Sequence, residues 1–420
     1  MNKIKNIWKS WKNLAFYLIK WWIICTLISL CIGIVVAFFL RSLSFVTNFR
    51  TLHPSIVLAL PITGLVFSYL YTKWGQNASK GNNLIIDVAN GAEENIPLRL
   101  VPLTVFGTIF THLTGGSVGR EGTATQSGGA IAYQIGRFFD LSSIEKQWCI
   151  MCGISAGFSA VFGTPLAGTL FAMEVAIIGT IRTEALIPVF YSSLLANSIT
   201  ELFNVKHSHY AIQSLPQMSI KVFVLLFICA MFFGLLGFLF EFLRQLIKKV
   251  YQRYLKNPIL INTVGGIVII LATIIAQTDR FLGLSLPMID DAFKGTAHTF
   301  DFLGKLIFTT LSLGCGFQGG EVTPLFGIGA TAGSFLHNWI NLPVSFLAAL
   351  GFIGVFAAAT NTPITCFVMG IELFGSDAAI YLLFITTFSY LFSGHHGIYS
   401  TQKILRPKYW TNNLLFKHHK

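Results

Sequence analysis

Charge is scarce in this sequence. Only 11% of its 420 residues are Asp, Glu, Lys or Arg, and only 17 are acidic. A water-soluble domain of this size cannot be surfaced so sparingly, and the 54% apolar content, the 39 Phe and the mean hydropathy of +0.67 exclude that class. A disulfide framework is also missing. The seven cysteines (25, 31, 149, 152, 229, 315 and 366) are scattered through apolar context. The C-x-x-C spacing of Cys149 and Cys152 has no second pair and no nearby His, so it reads as two buried thiols rather than a zinc or redox site. Low-complexity segments are absent. No small-residue cleavage site follows the first apolar run, which continues to Arg41 and therefore reads as a retained helix rather than a signal peptide. Basic residues dominate the charge that exists, giving a net +12, but they flank apolar runs instead of alternating with aromatics, which argues against nucleic acid as a partner.

What the chain does have is apolar length. Runs at 16–40, 54–72, 98–115, 184–204, 219–241, 258–277, 344–360 and 377–393 approach or exceed what a ~30 Å hydrocarbon core requires. The expectation is an all-α polytopic protein in a lipid bilayer, a single transmembrane domain over 1–420 with halves at about 16–204 and 219–405. Lys3, Lys5, Lys9, Lys12 and Lys20 crowd the start. Arg244, Lys248, Lys249, Arg253 and Lys256 mark one predicted loop, and Arg406, Lys408, Lys417 and Lys420 close the chain. The positive-inside rule places all three regions in the cytoplasm, which requires an even number of crossings. The 27 residues after Ser393 leave no room for an appended regulatory domain.

Two stretches 200 residues apart repeat one another. Gly116-Ser-Val-Gly119-Arg120-Glu121-Gly122-Thr123 matches Gly316-Phe-Gln-Gly319-Gly320-Glu321-Val322-Thr323. Downstream, Gly153 to Pro165 matches Gly351 to Pro363 at a shift of 198, and the pairing continues to Glu174 and Glu372. A charge at membrane depth costs about 2.5–3.5 kcal/mol on insertion scales, so carboxylates at equivalent positions mark a pathway. The pieces at 123–138, 146–162, 164–179 and 323–337 are too short to span and are bounded by Gly, Pro or Thr. Broken helices at corresponding places in two halves point to a midplane site, and glycine-rich helix starts present bare N–H groups to an anion.

Gly119-Arg120-Glu121-Gly122-Thr123, Gly320-Glu321-Val322-Thr323-Pro324 and Gly157-x-x-Ala160-x-Phe162-x-x-Pro165-x-x-Gly168-x-x-Phe171-x-x-Glu174 together resemble the CLC family of anion channels and anion/proton antiporters. The resemblance runs in order from about residue 75 to 405. It implies two inverted-repeat halves of tilted and broken helices, a homodimer with one pathway per subunit, and a bacterial cell membrane. Thr123, the Glu321-Val322-Thr323 trio and Gly81-Asn82-Asn83, where chloride-type members carry an anion-touching serine, resemble the fluoride/proton antiporter branch. The implied function is export of cytoplasmic fluoride in exchange for protons, driven by the proton gradient without cofactor, ATP or metal.

By that resemblance Glu121 is the gate: its carboxylate occupies the anion's place, and protonation lets it withdraw while fluoride enters. The other reading is a simple end-cap on the helix dipole. Glu321 is assigned a part in coupling, against a reading in which it only caps its helix. Gly119, Arg120, Gly122, Gly320, Val322 and Thr323 supply the anion's surroundings, with a Thr323 hydroxyl that needs a partner. Asn82 and Tyr399 form the inner constriction; an interfacial-belt role is the alternative for Tyr399. Glu174 and Glu372 read as structural. Val175 stands where chloride/proton exchangers of the family carry an inner proton-relay glutamate, which leaves two possibilities: Glu121 serves both sides, or another group substitutes.

A chloride/proton antiporter or chloride channel on the same fold is the alternative, with chloride as a possible partner. Asn82, Thr123, Glu321 and Val175 weigh against it. A remote alternative is intramembrane serine hydrolysis, because Gly115-Gly-Ser117-Val-Gly119 spells G-x-S-x-G with His112 upstream. That spelling has meaning only on a strand-turn-helix with a serving His and acid.

Overall fold

Apolar runs of this length become helix because hydrocarbon offers the backbone no other partners. The computed structural model describes residues 2–208 and 210–409. Lys417 and Lys420 lie outside the described residues, as do the side chains of Lys3, Lys5 and Lys9. The first half comprises α1 (Asn2–Leu52), α2 (Leu60–Leu70), α3 (Asn82–Ala89), α4 (Leu100–Leu113), α5 (Glu121–Phe138), α6 (Ser143–Phe162), α7 (Pro165–Glu174) and α8 (Leu186–Leu202). The second comprises α9 (Ile220–Tyr254), α10 (Pro258–Ala276), α11 (Leu286–Lys294), α12 (Asp301–Gly314), α13 (Val322–His337), α14 (Val344–Thr360), α15 (Pro363–Phe374) and α16 (Ala379–Phe392). Two short parallel strands, β1 (Ile177–Ile178) and β2 (Lys403–Ile404), tie the segment after α16 to the loop after α7.

Among the described residues, five helical segments are long and apolar enough to cross a membrane: Ser10–Leu52, Pro54–Ala89, Thr183–Leu202, Ile220–Tyr254 and Pro258–Ala276. The expected run at 344–360 is reproduced as the 17-residue α14, while those at 98–115 and 377–393 shorten to α4 and α16, of 14 residues each. At ~1.5 Å per residue these reach about 21–26 Å, short of a full crossing. Thr114 and Gly115 stop α4, the latter at φ +86°, and Asn361 stops α14 at φ +61°.

The basic loop predicted at 244–256 is also corrected. α9 runs 35 residues to Tyr254, so Arg244, Lys248, Lys249 and Arg253 are helical and only Lys256 lies beyond its end. The cause is local: no Gly or Pro interrupts 238–257, and long unbranched Lys, Arg, Gln and Leu side chains favour helix.

The repeat seen in sequence recurs in three dimensions. α6 ends at Gly163 (φ +72°) before Thr164-Pro165, and α14 ends at Asn361 before Thr362-Pro363; the proline then occupies the first turn of α7 or α15. α5 crosses α6, and α13 crosses α14, at equivalent glycines. A Cβ on Gly153 would run into the Gly128 carbonyl, and one on Gly351 into that of Gly329. Such close backbone approach is how helices associate where no hydrophobic force separates protein from lipid. The two glycine-rich loops meet antiparallel: Gly119 N donates to Gly320 O at 2.6 Å and Gly320 N to Gly119 O at 2.9 Å.

Candidate functional site

Because the loops meet antiparallel, a side chain at the start of one broken helix faces the start of its counterpart. Glu121, the first residue of α5 and 2% exposed, does not cap its own helix. It reaches across to α13. Its Oε1 accepts from Val322 N at 2.5 Å, and its Oε2 from Thr323 N at 3.2 Å, Thr323 Oγ1 at 2.9 Å and Arg120 N at 2.9 Å. Three of these four donors belong to the first turn of α13, where the helix dipole also favours negative charge. A carboxylate thus fills a ready-made anion site.

The same crossing occurs twice more. Glu174, which ends α7, accepts from Ile364 N at 3.1 Å, Thr365 N at 2.8 Å and Thr365 Oγ1 at 2.6 Å at the start of α15. Glu372, near the end of α15, accepts from Leu166 N and Ala167 N at 2.8 Å each at the start of α7. These reciprocal caps give both residues a structural role, as expected from their positions. Glu321 breaks the pattern. It is the N-cap residue of α13 yet makes no side-chain cap bond, because Glu121 has taken the donors of that turn.

The remaining predicted residues gather here. Gly122 lies against Gly320 and Asn82: a Cβ on it would come within 3.0 Å of the Gly320 Cα and 3.1 Å of the Asn82 Nδ2. Asn82 starts α3, and its Oδ1 accepts from Thr125 Oγ1 at 3.1 Å. Asn82, Thr125, Phe171, Val175 and Tyr399 line one cavity of about 10 Å3, the space of a single water-sized occupant. Thr123 turns away, its hydroxyl 2.6 Å from that of Thr108. Arg120, whose Nε has no partner, lines a second cavity of about 30 Å3 together with Thr323, Phe162, Phe326 and Phe352. Phe326 stacks on Phe352 at 3.9 Å between centroids. Arg120 also borders a basin of about 1120 Å3 lined by Arg41, Arg50, Lys206, Asp279 and Arg280, the last ion-paired with Asp291 and Asp301.

Sequence reading missed Glu241 and Arg244. Glu241 is 2% exposed and takes a bidentate bond from Arg244, Nε to Oε2 at 2.7 Å and a second guanidinium nitrogen to Oε1 at 2.9 Å. The available signal was a lone acid three residues before an arginine in an apolar run.

The hydrolase arrangement does not form. Ser117 is fully buried; its Oγ accepts from Lys305 Nζ at 2.9 Å and lies 2.9 Å from Thr309 Oγ1, while the His112 Nδ1 is engaged with Thr108 O at 2.8 Å.

Comparison with known proteins agrees with this architecture. The family model for voltage gated chloride channels matches residues 63–394. A chloride/fluoride channel protein of Pseudomonas syringae pv. tomato is 40% identical over 403 residues, 94% of this chain and 89% of that one. The crystal structure of a CLC-type fluoride/proton antiporter superposes with a TM-score of 0.90 at 34% identity, covering 93% of this chain and 99% of the other. A slow cyanobacterial Cl−/H+ antiporter shares the fold at a TM-score of 0.74 and 18% identity, over 88% and 93% of the two chains. With the family model spanning most of the chain and the paired glycine-rich loops in place, this protein belongs to the voltage gated chloride channel (CLC) family.

Proposed function

We propose that the protein is a fluoride/proton antiporter that exports cytoplasmic fluoride in exchange for protons, with Glu121 as the gate that couples the two. The observation that carries this reading is the Glu121 carboxylate lying on three donors of the α13 N-terminus. An anion of similar size would take those donors once the carboxylate gives them up, and protonation is what removes its charge. One group therefore alternates between holding a proton and excluding an anion, which is exchange.

Fluoride is strongly hydrated, so a site that strips its water must return strong donors. The Thr323 hydroxyl and the first-turn amides of α13 are such donors, and the cavity walled by Arg120, Phe162, Phe326 and Phe352 adds positive ring edges beside them. The names of two similar proteins, a chloride/fluoride channel protein and a fluoride/proton antiporter, favour the same ion. Asn82 and Tyr399 serve as the inner constriction, and Glu321 takes part in coupling. The protein works as a homodimer in the cell membrane, with both termini in the cytoplasm.

Purified protein in liposomes tests this directly, with fluoride and chloride electrodes and a pH probe. Fluoride efflux should drive proton uptake and exceed chloride efflux; equal fluxes would refute the fluoride assignment. Glu121→Gln should leave fluoride movement uncoupled from protons, and a variant with unchanged coupling would refute the gate.

A further inference from the structure

A proton released by Glu121 toward the Tyr399 side needs a carrier, and the small cavity there offers none beyond the phenol. Its other walls are amide, hydroxyl and apolar. On another flank of the α13 N-terminus, α9 supplies charge. Glu241 is clamped by the two Arg244 bonds and by Gln245 Nε2, which donates to Oε1 at 2.5 Å. The Arg244 guanidinium also donates to Ile398 O at 3.2 Å, the residue before Tyr399. The backbone of Arg244 abuts the end of α12, where a Cβ on Gly314 would come within 3.3 Å of the Arg244 carbonyl oxygen, at the start of the loop that leads to Glu321. Glu321 stands within electrostatic reach of Arg244, Glu121 and Glu241, and Arg244 within reach of Glu321 and Tyr399.

The cluster therefore holds three carboxylates, one guanidinium and one phenol. Arg is a permanent cation, so its charge cannot be the one that changes. Glu121 is engaged at α13 and Glu241 is locked in a bidentate pair, which leaves Glu321 as the carboxylate without a hydrogen-bonded side-chain partner among the described residues. We propose that Arg244, held in place by Glu241, is the positioning residue of an inner proton site at Glu321. The proton passes from the Glu121 carboxyl to the Glu321 carboxylate and leaves Glu121 charged; no other bond changes. Glu241 limits how much of the Arg244 charge Glu321 feels, and so sets the pH at which the site fills. This rests on the reading above that Glu321 takes part in coupling.

Four variants of the full-length protein in liposomes test it, each scored for fluoride flux, protons moved per fluoride and pH profile. Glu241→Gln releases Arg244 toward Glu321. Coupled efflux should then become half-maximal about one pH unit lower, the effect of an opposite charge brought within a few ångströms, while total fluoride flux is retained. The double variant Glu241→Gln/Arg244→Gln removes both members of the buried ion pair and should move the profile the other way. Arg244→Lys keeps the charge and should restore part of the wild-type profile. A folded double variant with wild-type pH profile and stoichiometry overturns the inference. Glu321→Gln separates the two claims: if it leaves coupling intact, the underlying reading of Glu321 fails. If it uncouples transport while the α9 variants behave as wild type, only the positioning role fails.

Discussion

Thr323→Val isolates one of the four hydrogen bonds that hold the Glu121 carboxylate, the gate of the proposed exchange. The hydroxyl donates to Glu121 Oε2 at 2.9 Å and is itself 2% exposed, so valine fills the same volume without admitting water. A hydrogen bond to a charged group contributes about 1.5–3 kcal/mol, which corresponds to about a 10- to 150-fold change in the ratio of closed to withdrawn carboxylate. The lower end applies, because Val322 N, Thr323 N and Arg120 N still hold both oxygens in place. Fluoride efflux at a fixed alkaline pH, where an ionised gate limits transport, should therefore rise about tenfold, with fewer protons moved per fluoride. In a Glu121→Gln background the gain must vanish, leaving a rate at or below that of Glu121→Gln alone, since the hydroxyl then serves only the anion; this is a double-mutant cycle. An unchanged rate in the single variant, or an equal gain with and without Glu121, would refute the claim that Thr323 works by holding the gate.

Other substitutions probe the frame around the gate. Gly320→Ala places a Cβ against the Glu121 carboxylate and 2.6 Å from Gly122 N, so the loop must shift at a cost of about 1–3 kcal/mol; efflux should lose its pH dependence and the detergent-solubilised protein should melt earlier. Glu372→Gln turns one of two acceptor oxygens at the α7 N-terminus into a donor facing an N–H, which should destabilise the fold by about 2 kcal/mol in thermal unfolding while the fluoride-to-proton ratio stays constant. Lys408, in the segment after α16, has no carboxylate partner among the described residues, and burial pulls it down to about 7. Its amine donates to Tyr390 O at 2.7 Å and Ser393 Oγ at 3.0 Å, which a neutral amine can also do. Between about 7 and 10.5 the undocked segment binds more protons than the docked one, so docking strengthens as pH rises across that window and is independent of pH well below 7, where both states are protonated. Hydrogen exchange over residues 394–408 should slow across that rise in wild type and show no such step in Lys408→Met, after correction for the intrinsic pH dependence of exchange.

Much of the site was legible because it is a repeat. Glutamates among glycines at a shift of 200, and Thr-Pro pairs at a shift of 198, locate both broken-helix starts without any contact being known. What spacing cannot convey is which helix a carboxylate serves. Local rules expect Glu121, in a first turn, to stabilise its own helix and offer Glu174 and Glu372, at helix ends, no partner, yet Glu121 serves α13, Glu174 serves α15 and Glu372 serves α7. That exchange depends on the halves meeting antiparallel at Gly119 and Gly320, a tertiary fact. The Arg244 side chain was hidden for a related reason: charge following an apolar run looks like a loop until the helix continues and a buried acid one turn earlier claims it.

Once three glutamates are seen to cap the opposite half, Glu321 becomes informative by exception. The reciprocal cap expected of it, onto the first turn of α5, is not made, and the donors of its own helix belong to Glu121. A half-buried carboxylate left out of the structural scheme costs stability, and proteins tolerate such costs mainly where function needs them. On the proposed reading, Glu321 can gain and lose a proton without dismantling a helix start, whereas Glu121 gives up the α13 donors when it is protonated. The asymmetry is then a division of labour: Glu121 alternates between the anion's place and the proton, and Glu321 relays the proton inward.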